Sequence, residues 1–303
     1  MTRAIRTLRG IIFLLPWLTQ LLVADILLSA LLPISAVLPT LAYNASSGLA
    51  ASVWYGIQFM FTRYNGAKIV VDGDQLPQGE TAIVVANHVE WTDFYMLQEL
   101  AIKAGMLSRC RWFAKEQLKW VPFLGWGLWA MGMPLVTRKW MQDKREIQRV
   151  FKGVIQFHWP MWLIAYSEAT RFTPKKREEG LQWCKENDKT MPKHLLYPRT
   201  RGFIASVQEL RKIPHVKAVY DVTIAYAKGN QFQKPPSFSD TIFRPDLATA
   251  WQFYVHAKRH ELADLPNSDE ELADWLVARW IEKGERLESL RDQNARGLAW
   301  HKT

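Results

Sequence analysis

The 303-residue chain is 49% hydrophobic with 15 Trp, long enough to bury a real core, either as one large domain or as a domain with accessory segments. Its formal charge of +10 points to an anionic partner: nucleic acid, an anionic membrane surface or a phosphorylated substrate. Its two cysteines, Cys110 and Cys184, are far apart and lack metal-ligand spacing, which excludes a disulfide framework and a zinc site and fits free thiols in a reducing compartment.

Arg3, Arg6 and Arg9 precede an apolar stretch from about Gly10 to Tyr43, interrupted by Asp25 and by three prolines. Roughly 20 apolar residues cross a bilayer, so this stretch is long enough to span, and it is too long for a signal-peptide core. At a helix centre Asp25 would cost roughly 2.5 to 3.5 kcal/mol, which places it near an interface or against a partner group. A polar break at Asn44 to Ser47 then leads into a shorter apolar run, Gly48 to Phe61, which reads as re-entrant or interfacial, with Trp54 and Tyr55 at headgroup depth. Basic residues on both outer flanks and none at the break predict a hairpin over residues 1–65 with both ends on the cytosolic side.

From Gly66 onward short strands alternate with helices. Strands are expected at Lys68 to Val71, Ala82 to Ala86, Trp112 to Ala114, Met133 to Val136, Trp162 to Tyr166 and Val216 to Thr223. Helices are expected from about Asp93 to Ala104 and over Lys139 to Phe157, whose apolar face carries Ile147, Val150, Phe151, Val154 and Ile155. Lys175 to Glu179 reads as a charged loop, and the segment after Asn230, with Pro235 and Pro236, as another. A terminal helix starts near Ser268, whose spacing to Glu271 makes a capping box, and buries Leu272, Trp275, Leu276 and Trp280. The alternation predicts an α/β fold over residues 66–303, a mainly parallel or mixed central sheet with helices on both faces.

Three strand ends carry polar residues: His88 with Asp93, Thr137 with Arg138, and Glu168 with Thr170 and Arg171. Ligands of open α/β sheets bind outside the carboxyl ends of the strands, so one shared site can be built there. His88 ends a buried strand with an acid five positions on, at the start of a helix whose dipole favours a carboxylate, and such a pair can act as a general base and its orienter. Each signal has an ordinary explanation beside it: a core or capping histidine for His88, solvated charges for Arg138 and Arg171, a surface or helix-capping acid for Glu168. The basic surplus is regional, since Arg109 to Gly180 holds fourteen Lys or Arg against six Asp or Glu.

In combination these residues resemble the glycerolipid acyltransferases that contain the 1-acylglycerol-3-phosphate acyltransferases. Asn87, His88 and Asp93 match the family's Asn-His, four residues, Asp. Pro134 to Arg138 is similar to the second motif, Glu168-Ala169-Thr170-Arg171 to Glu-Gly-Thr-Arg, and Leu195 to Phe203, around Pro198, to the proline motif. The Arg-Phe-Thr tail of the third motif, the Pro-Arg-Thr-Arg-Gly-Phe run and the terminal Trp-Leu helix look most like the eukaryotic branch with lysophosphatidylinositol and lysocardiolipin acyltransferases. Ala169 departs from the pattern, putting a methyl group where the family has glycine.

The resemblance implies acyl transfer from acyl-CoA, a co-substrate, to a lysophospholipid hydroxyl, with no metal or other cofactor. It implies His88 as general base, Asp93 as its orienter, and Arg138, Glu168, Thr170 and Arg171 at the glycerol-phosphate end. There Glu168 would orient an arginine or a substrate hydroxyl, and Pro198 would shape the site. It implies a membrane location, at the endoplasmic reticulum with the catalytic domain facing the cytosol. The apolar run Trp120 to Met133 would line an acyl channel or pack as ordinary core. Two other classes remain open on the residues alone, an inert membrane scaffold of the same fold and a basic nucleic-acid binder; the apolar N-terminus argues against the second.

Overall fold

The computed structural model describes residues 3–121, 124–137 and 140–302. Helix α1 (Arg3–Val37) and helix α2 (Pro39–Phe59) form an antiparallel hairpin in which the Trp17 indole donates to the Val53 carbonyl at 2.8 Å. The turn falls at Leu38, not at Asn44 to Ser47 as the polar residues suggest. Pro39 opens α2, where its missing N–H costs nothing, and Ser46 and Ser47 are buried inside the helix. Ser46 donates to the Tyr43 carbonyl, and Ser47 accepts from the buried Arg111 guanidinium at 2.8 Å. Ser47 therefore faces the rest of the domain instead of marking a bend, while Asn44 is exposed.

Among the described residues, one helix, Ala4–Val37, is long and apolar enough to cross a membrane. At 1.5 Å per residue its length exceeds the roughly 30 Å of a bilayer core, and it leaves Ile12, Leu15, Leu22 and Val23 exposed along its length. Helix α2 packs on the domain and turns Trp54 inward, edge-on to Trp112 at 4.8 Å, while Tyr55 is exposed. Asp25 is buried against helix α4 (Leu124–Ala130): a Cβ placed on Gly127 would lie 2.6 Å from its Oδ1.

The main sheet runs in the order β1 (Ile69–Gly73), β9 (Trp251–Glu261), β7 (Val216–Lys228), β2 (Thr81–Ala86), β6 (Trp162–Tyr166), β3 (Cys110–Trp112). It is mixed: β7 and β9 pair antiparallel, the other neighbours in this order parallel. A short strand β8 (Gln231–Phe232) adds to β7, and β4 (Ala114–Lys115) pairs with β5 (Leu135–Val136) apart from the main sheet. Strand β2 is buried throughout and its residues alternate between two cores. Ala82, Val84 and Ala86 face α2 and helix α3 (Asp93–Lys103), while Ile83 and Val85 face helices α5 (Trp140–Phe157), α7 (Arg201–Leu210) and α9 (Asp269–Ala295). Helices thus cover both faces, as expected.

Several local expectations differ. Lys175 to Glu179 belongs to helix α6 (Pro174–Glu186), with Thr173 accepting from the Lys176 N–H as its cap and Pro174 in its first turn. The proline motif turns helical at Arg201, where Phe203, Val207 and Leu210 form a buried stripe. Beyond Asn230 the chain makes β8, the short helix α8 (Phe238–Phe243) and β9 rather than a loop. Ile155 is exposed, off the buried face of α5. In the run from Trp120 to Met133, Trp120, Trp126 and Trp129 are exposed, whereas Met131 and Met133 pack in the core.

Candidate active site

The site lies at the carboxyl ends of β2 and β6. Asn87 ends β2 by behaving as one more strand residue: its side chain donates to the Ile224 carbonyl at 3.0 Å and accepts the Ile224 N–H at 2.8 Å. That clamp on β7 fixes where the following residue points. His88 Nδ1 meets Asp93 Oδ2 at 2.8 Å, with the histidine 16% and the aspartate 0% exposed. The same Oδ2 accepts the N–H groups of Val89 at 2.7 Å and Glu90 at 3.2 Å, and Oδ1 accepts the Tyr226 hydroxyl at 2.8 Å. Asp93, at the first residue of α3, therefore closes the loop back to His88 with its own side chain.

The arrangement commits Nδ1 of His88 to the carboxylate and leaves Nε2 as the nitrogen that can take or give a proton. Tyr166, the last residue of β6, stacks on the imidazole with ring centres 4.1 Å apart. Its hydroxyl has no hydrogen-bond partner among the described residues. Burial, with the Asp93 charge adding to it, pushes that phenol well above its ordinary range, and the same two causes act on Tyr226. Both phenols stay neutral donors at physiological pH.

The third motif is drawn to the histidine through the backbone, since the Phe172 N–H donates to the His88 carbonyl at 2.9 Å. Arg171 is half-exposed and pairs with Glu90 at 2.5 Å, so the acid that orients it is Glu90 and not Glu168. Glu168 is buried, and its Oε1 accepts the Trp280 indole N–H at 3.3 Å while Oε2 lacks a partner of good geometry among the described residues. Burial holds this carboxyl well above the usual carboxylate range, against the Trp280 bond and the nearby backbone N–H groups of His88 and Leu196. Thr170 is partly exposed beside Arg171, and Pro198 is buried in the loop tied to this turn by the Arg199 N–H to the Ser167 carbonyl, 2.7 Å. Arg138 lies outside the described residues. Nearby, Thr137 donates through its N–H and its hydroxyl to Asp143 Oδ1 at 2.7 and 2.8 Å.

Ala169 takes a left-handed backbone, φ 55°, which is the conformation the family's glycine suits. Both cysteines are buried, and burial raises each thiol, so neither is a poised nucleophile. Among the described residues no group of three or more metal-ligating side chains comes together. Residues that local reading missed are Tyr226, Asn87's clamp on β7, Glu90 and Trp280. Only Glu90, three positions before Asp93, offered a local signal.

A family model described as Acyltransferase matches residues 68–227, more than half of the chain, and a second, Acyltransferase C-terminus, matches residues 249–295. The chain is 28% identical over 244 residues to "1-acyl-sn-glycerol-3-phosphate acyltransferase 2" of Brassica napus, covering 79% of this chain and 60% of that one. It is 28% identical over 222 residues to "Lysocardiolipin acyltransferase 1" of Gallus gallus, 73% and 57% of the two chains. It is 31% identical over 204 residues to "1-acyl-sn-glycerol-3-phosphate acyltransferase delta" of Pongo abelii, 67% and 51%. The chain thus spans between about half and three fifths of the length of these relatives. A crystal structure of the 1-acyl-sn-glycerophosphate acyltransferase PlsC from Thermotoga maritima is similar at a TM-score of 0.49 and 15% identity, covering 88% of this chain and 97% of that one. With the first family model spanning the strand that leads into His88, the helix that carries Asp93 and the turn that leads to Arg171, the chain belongs to the acyltransferase family.

Proposed function

We propose that the protein transfers an acyl group from acyl-CoA to the free hydroxyl of a lysophospholipid, such as lysophosphatidic acid or lysophosphatidylinositol, at a membrane surface. The observation that carries this is the His88–Asp93 pair at 2.8 Å, in which the acid is wholly buried and held by three further donors while the histidine remains accessible. A hydroxyl is a weak nucleophile at neutral pH. His88 Nε2 accepts its proton as the oxygen attacks the thioester carbonyl, and Asp93 stabilises the imidazolium that forms. Collapse of the tetrahedral adduct breaks the carbon–sulfur bond, and the imidazolium returns its proton to the departing thiolate. The reaction needs no covalent enzyme intermediate, no metal and no cofactor beyond the acyl-CoA co-substrate.

Arg171, with Arg138 and Thr170, holds the phosphate of the acceptor, because a guanidinium donates two hydrogen bonds in the plane a phosphate presents. Arg171 pairs with Glu90 at 2.5 Å, an acid two residues after His88. Pro198 shapes the wall of the site. The hairpin of residues 1–65 anchors the domain, through the apolar surface of α1, at an endoplasmic reticulum membrane with the site facing the cytosol, and the basic surface draws in anionic headgroups and CoA phosphates rather than nucleic acid.

The test is incubation of the purified full chain with labelled oleoyl-CoA and, separately, lysophosphatidic acid, lysophosphatidylinositol and lysocardiolipin, beside His88→Ala. Label is expected in at least one diacyl product and lost in the variant by about a thousandfold. No acylated lipid from any acceptor, or full activity in His88→Ala, ends the proposal.

A further inference from the structure

Helix α9 starts as the sequence leads one to expect, with Ser268 accepting the Glu271 N–H, and buries Leu272, Leu276, Trp280, Leu287 and Leu290 against the sheet. Midway, three residues break from simple apolar packing. The Trp280 indole N–H reaches Glu168 Oε1 at 3.3 Å. The Lys283 ammonium, 1% exposed, pairs with Asp221 and donates to the Val222 carbonyl at 2.7 Å. Gly284 lets the helix approach the chain before Pro198, where a Cβ would stand 2.8 Å from the Lys193 nitrogen.

The first two contacts end close to the His88 loop. Glu168 sits in the turn closed by the Ala169 N–H to the Tyr166 carbonyl, 2.9 Å, directly after the tyrosine that stacks on His88. The backbone N–H groups of His88 and Leu196 also face its carboxyl. Val222 stands opposite Ala86, two residues before His88. The carboxyl of Glu168 is 2% exposed and makes no contact with Arg171, which pairs elsewhere.

We propose that α9 sets the catalytic geometry from behind: Trp280 through Glu168, and Lys283 through Asp221 and Val222, are positioning residues that hold the His88 loop and the Thr170–Arg171 turn in register, and Glu168 does not touch substrate. The proposal rests on the acyl-transfer function above. Breaking the link lets the turn and the histidine drift relative to one another, which lowers turnover without removing a group that binds the acceptor. A ligand role for Glu168 would show the reverse pattern.

The experiment measures kcat and acceptor KM in the full chain for Trp280→Phe, Glu168→Leu, Glu168→Gln and the double variants of Trp280→Phe with each. Phenylalanine keeps a ring and removes only the indole donor; leucine removes the acceptor, and glutamine keeps one. Expected are about tenfold losses of kcat in Trp280→Phe and Glu168→Leu with KM within twofold, and a loss of about threefold in Glu168→Gln. Trp280→Phe adds less than twofold to Glu168→Leu but its full effect to Glu168→Gln. Additive losses, or tenfold increases of KM in both Glu168 variants while Trp280→Phe is silent, overturn the proposal. The same variants in denaturant unfolding read the Trp280–Glu168 coupling without turnover. If the wild type acylates nothing, the function above fails, and the presence or absence of that coupling still decides whether α9 holds the turn.

Discussion

Ala169→Gly should raise stability at the active-site turn. Ala169 has φ 55°, in the left-handed region where a Cβ crowds the following carbonyl at a cost of about 1 to 2 kcal/mol. Glycine removes that cost but gives the unfolded chain more freedom, worth roughly 0.5 to 1 kcal/mol in the other direction. The difference is a net gain of at most about 1.5 kcal/mol and of about 0.75 kcal/mol at the middle of both ranges, or roughly 1.5 to 3 °C in Tm for a domain of this size. The backbone bond that closes the turn, Ala169 N–H to the Tyr166 carbonyl, is available to both residues, so the gain reports the strain alone. Thermal or urea unfolding of the full chain followed by circular dichroism measures it. Ala169→Val supplies the opposite sign, because a branched Cβ fits this region less well than a methyl group. An Ala169→Gly protein that unfolds at or below the wild-type midpoint, or an Ala169→Val protein that matches wild type, would falsify the strain argument.

Tyr226→Phe removes one of the donors to buried Asp93; a hydrogen bond to a charged group is worth about 1.5 to 3 kcal/mol, and kcat should fall about tenfold with KM constant, whereas an unchanged kcat would show that the remaining donors suffice. His256 is buried and pushed down to about 4, chiefly by burial, with Arg286 and Lys283 acting in the same direction and Asp72 and Asp221 against it. Its folded value lies below its unfolded one, so its contribution to stability is complete above about pH 6.5 and is lost as pH falls towards 4, on the order of 3 kcal/mol at most; His256→Gln should flatten unfolding curves in that window, and an equally steep acid loss would count against the assignment. Gly284→Ala gains up to about 1 kcal/mol of helix propensity, yet its Cβ would meet the Lys193 backbone at 2.8 Å, and overpacking of about 1 to 3 kcal/mol should win. A variant more stable than wild type in urea would show that the loop yields.

The His88–Asp93 pair was legible because it is local. Six buried strand residues, then Asn87 and His88, then an acid at a helix start, carry their geometry within one strand, one loop and one helical turn. Its supports are not local: Tyr226 reaches Asp93 from 133 positions away and Trp280 reaches Glu168 from 112, and only the folded sheet brings them together. Helix α6 escaped notice for a different reason. Cys184 is its one buried residue, with Leu181 and Trp183 exposed, so it has no apolar stripe to read, and only Thr173 and Pro174 announced it. Strand β9 was hidden behind two prolines and a mixed run of His, Lys and Arg that its antiparallel pairing with β7 tolerates near one end. Glu168 reads from sequence either as a surface or helix-capping acid or as a group that orients an arginine or a substrate hydroxyl; its burial and the Trp280 contact depend on a helix more than a hundred residues away.

How Asp93 is bonded also predicts what an amide would do in its place. Oδ2 faces only donors, the Val89 and Glu90 N–H groups and the imidazole, whereas Oδ1 faces a hydroxyl. In Asp93→Asn the amide nitrogen is therefore driven to the Oδ1 side, where the Tyr226 hydroxyl rotates from donor to acceptor. The amide oxygen keeps the other three bonds, so His88 keeps its proton on Nδ1 and its free Nε2. What is lost is the charge, which at about 4 Å and an effective dielectric of 20 favours an imidazolium by about 4 kcal/mol. That sets the loss in kcat at no more than about a thousandfold, and Asp93→Ala, which also frees the ring, should lose more. In Tyr226→Phe the rotating hydroxyl is gone, so adding Asp93→Asn there strands an N–H and should cost more than it does in the wild-type background. Equal cost in both backgrounds would mean that the amide sits the other way round with the imidazole tautomer reversed.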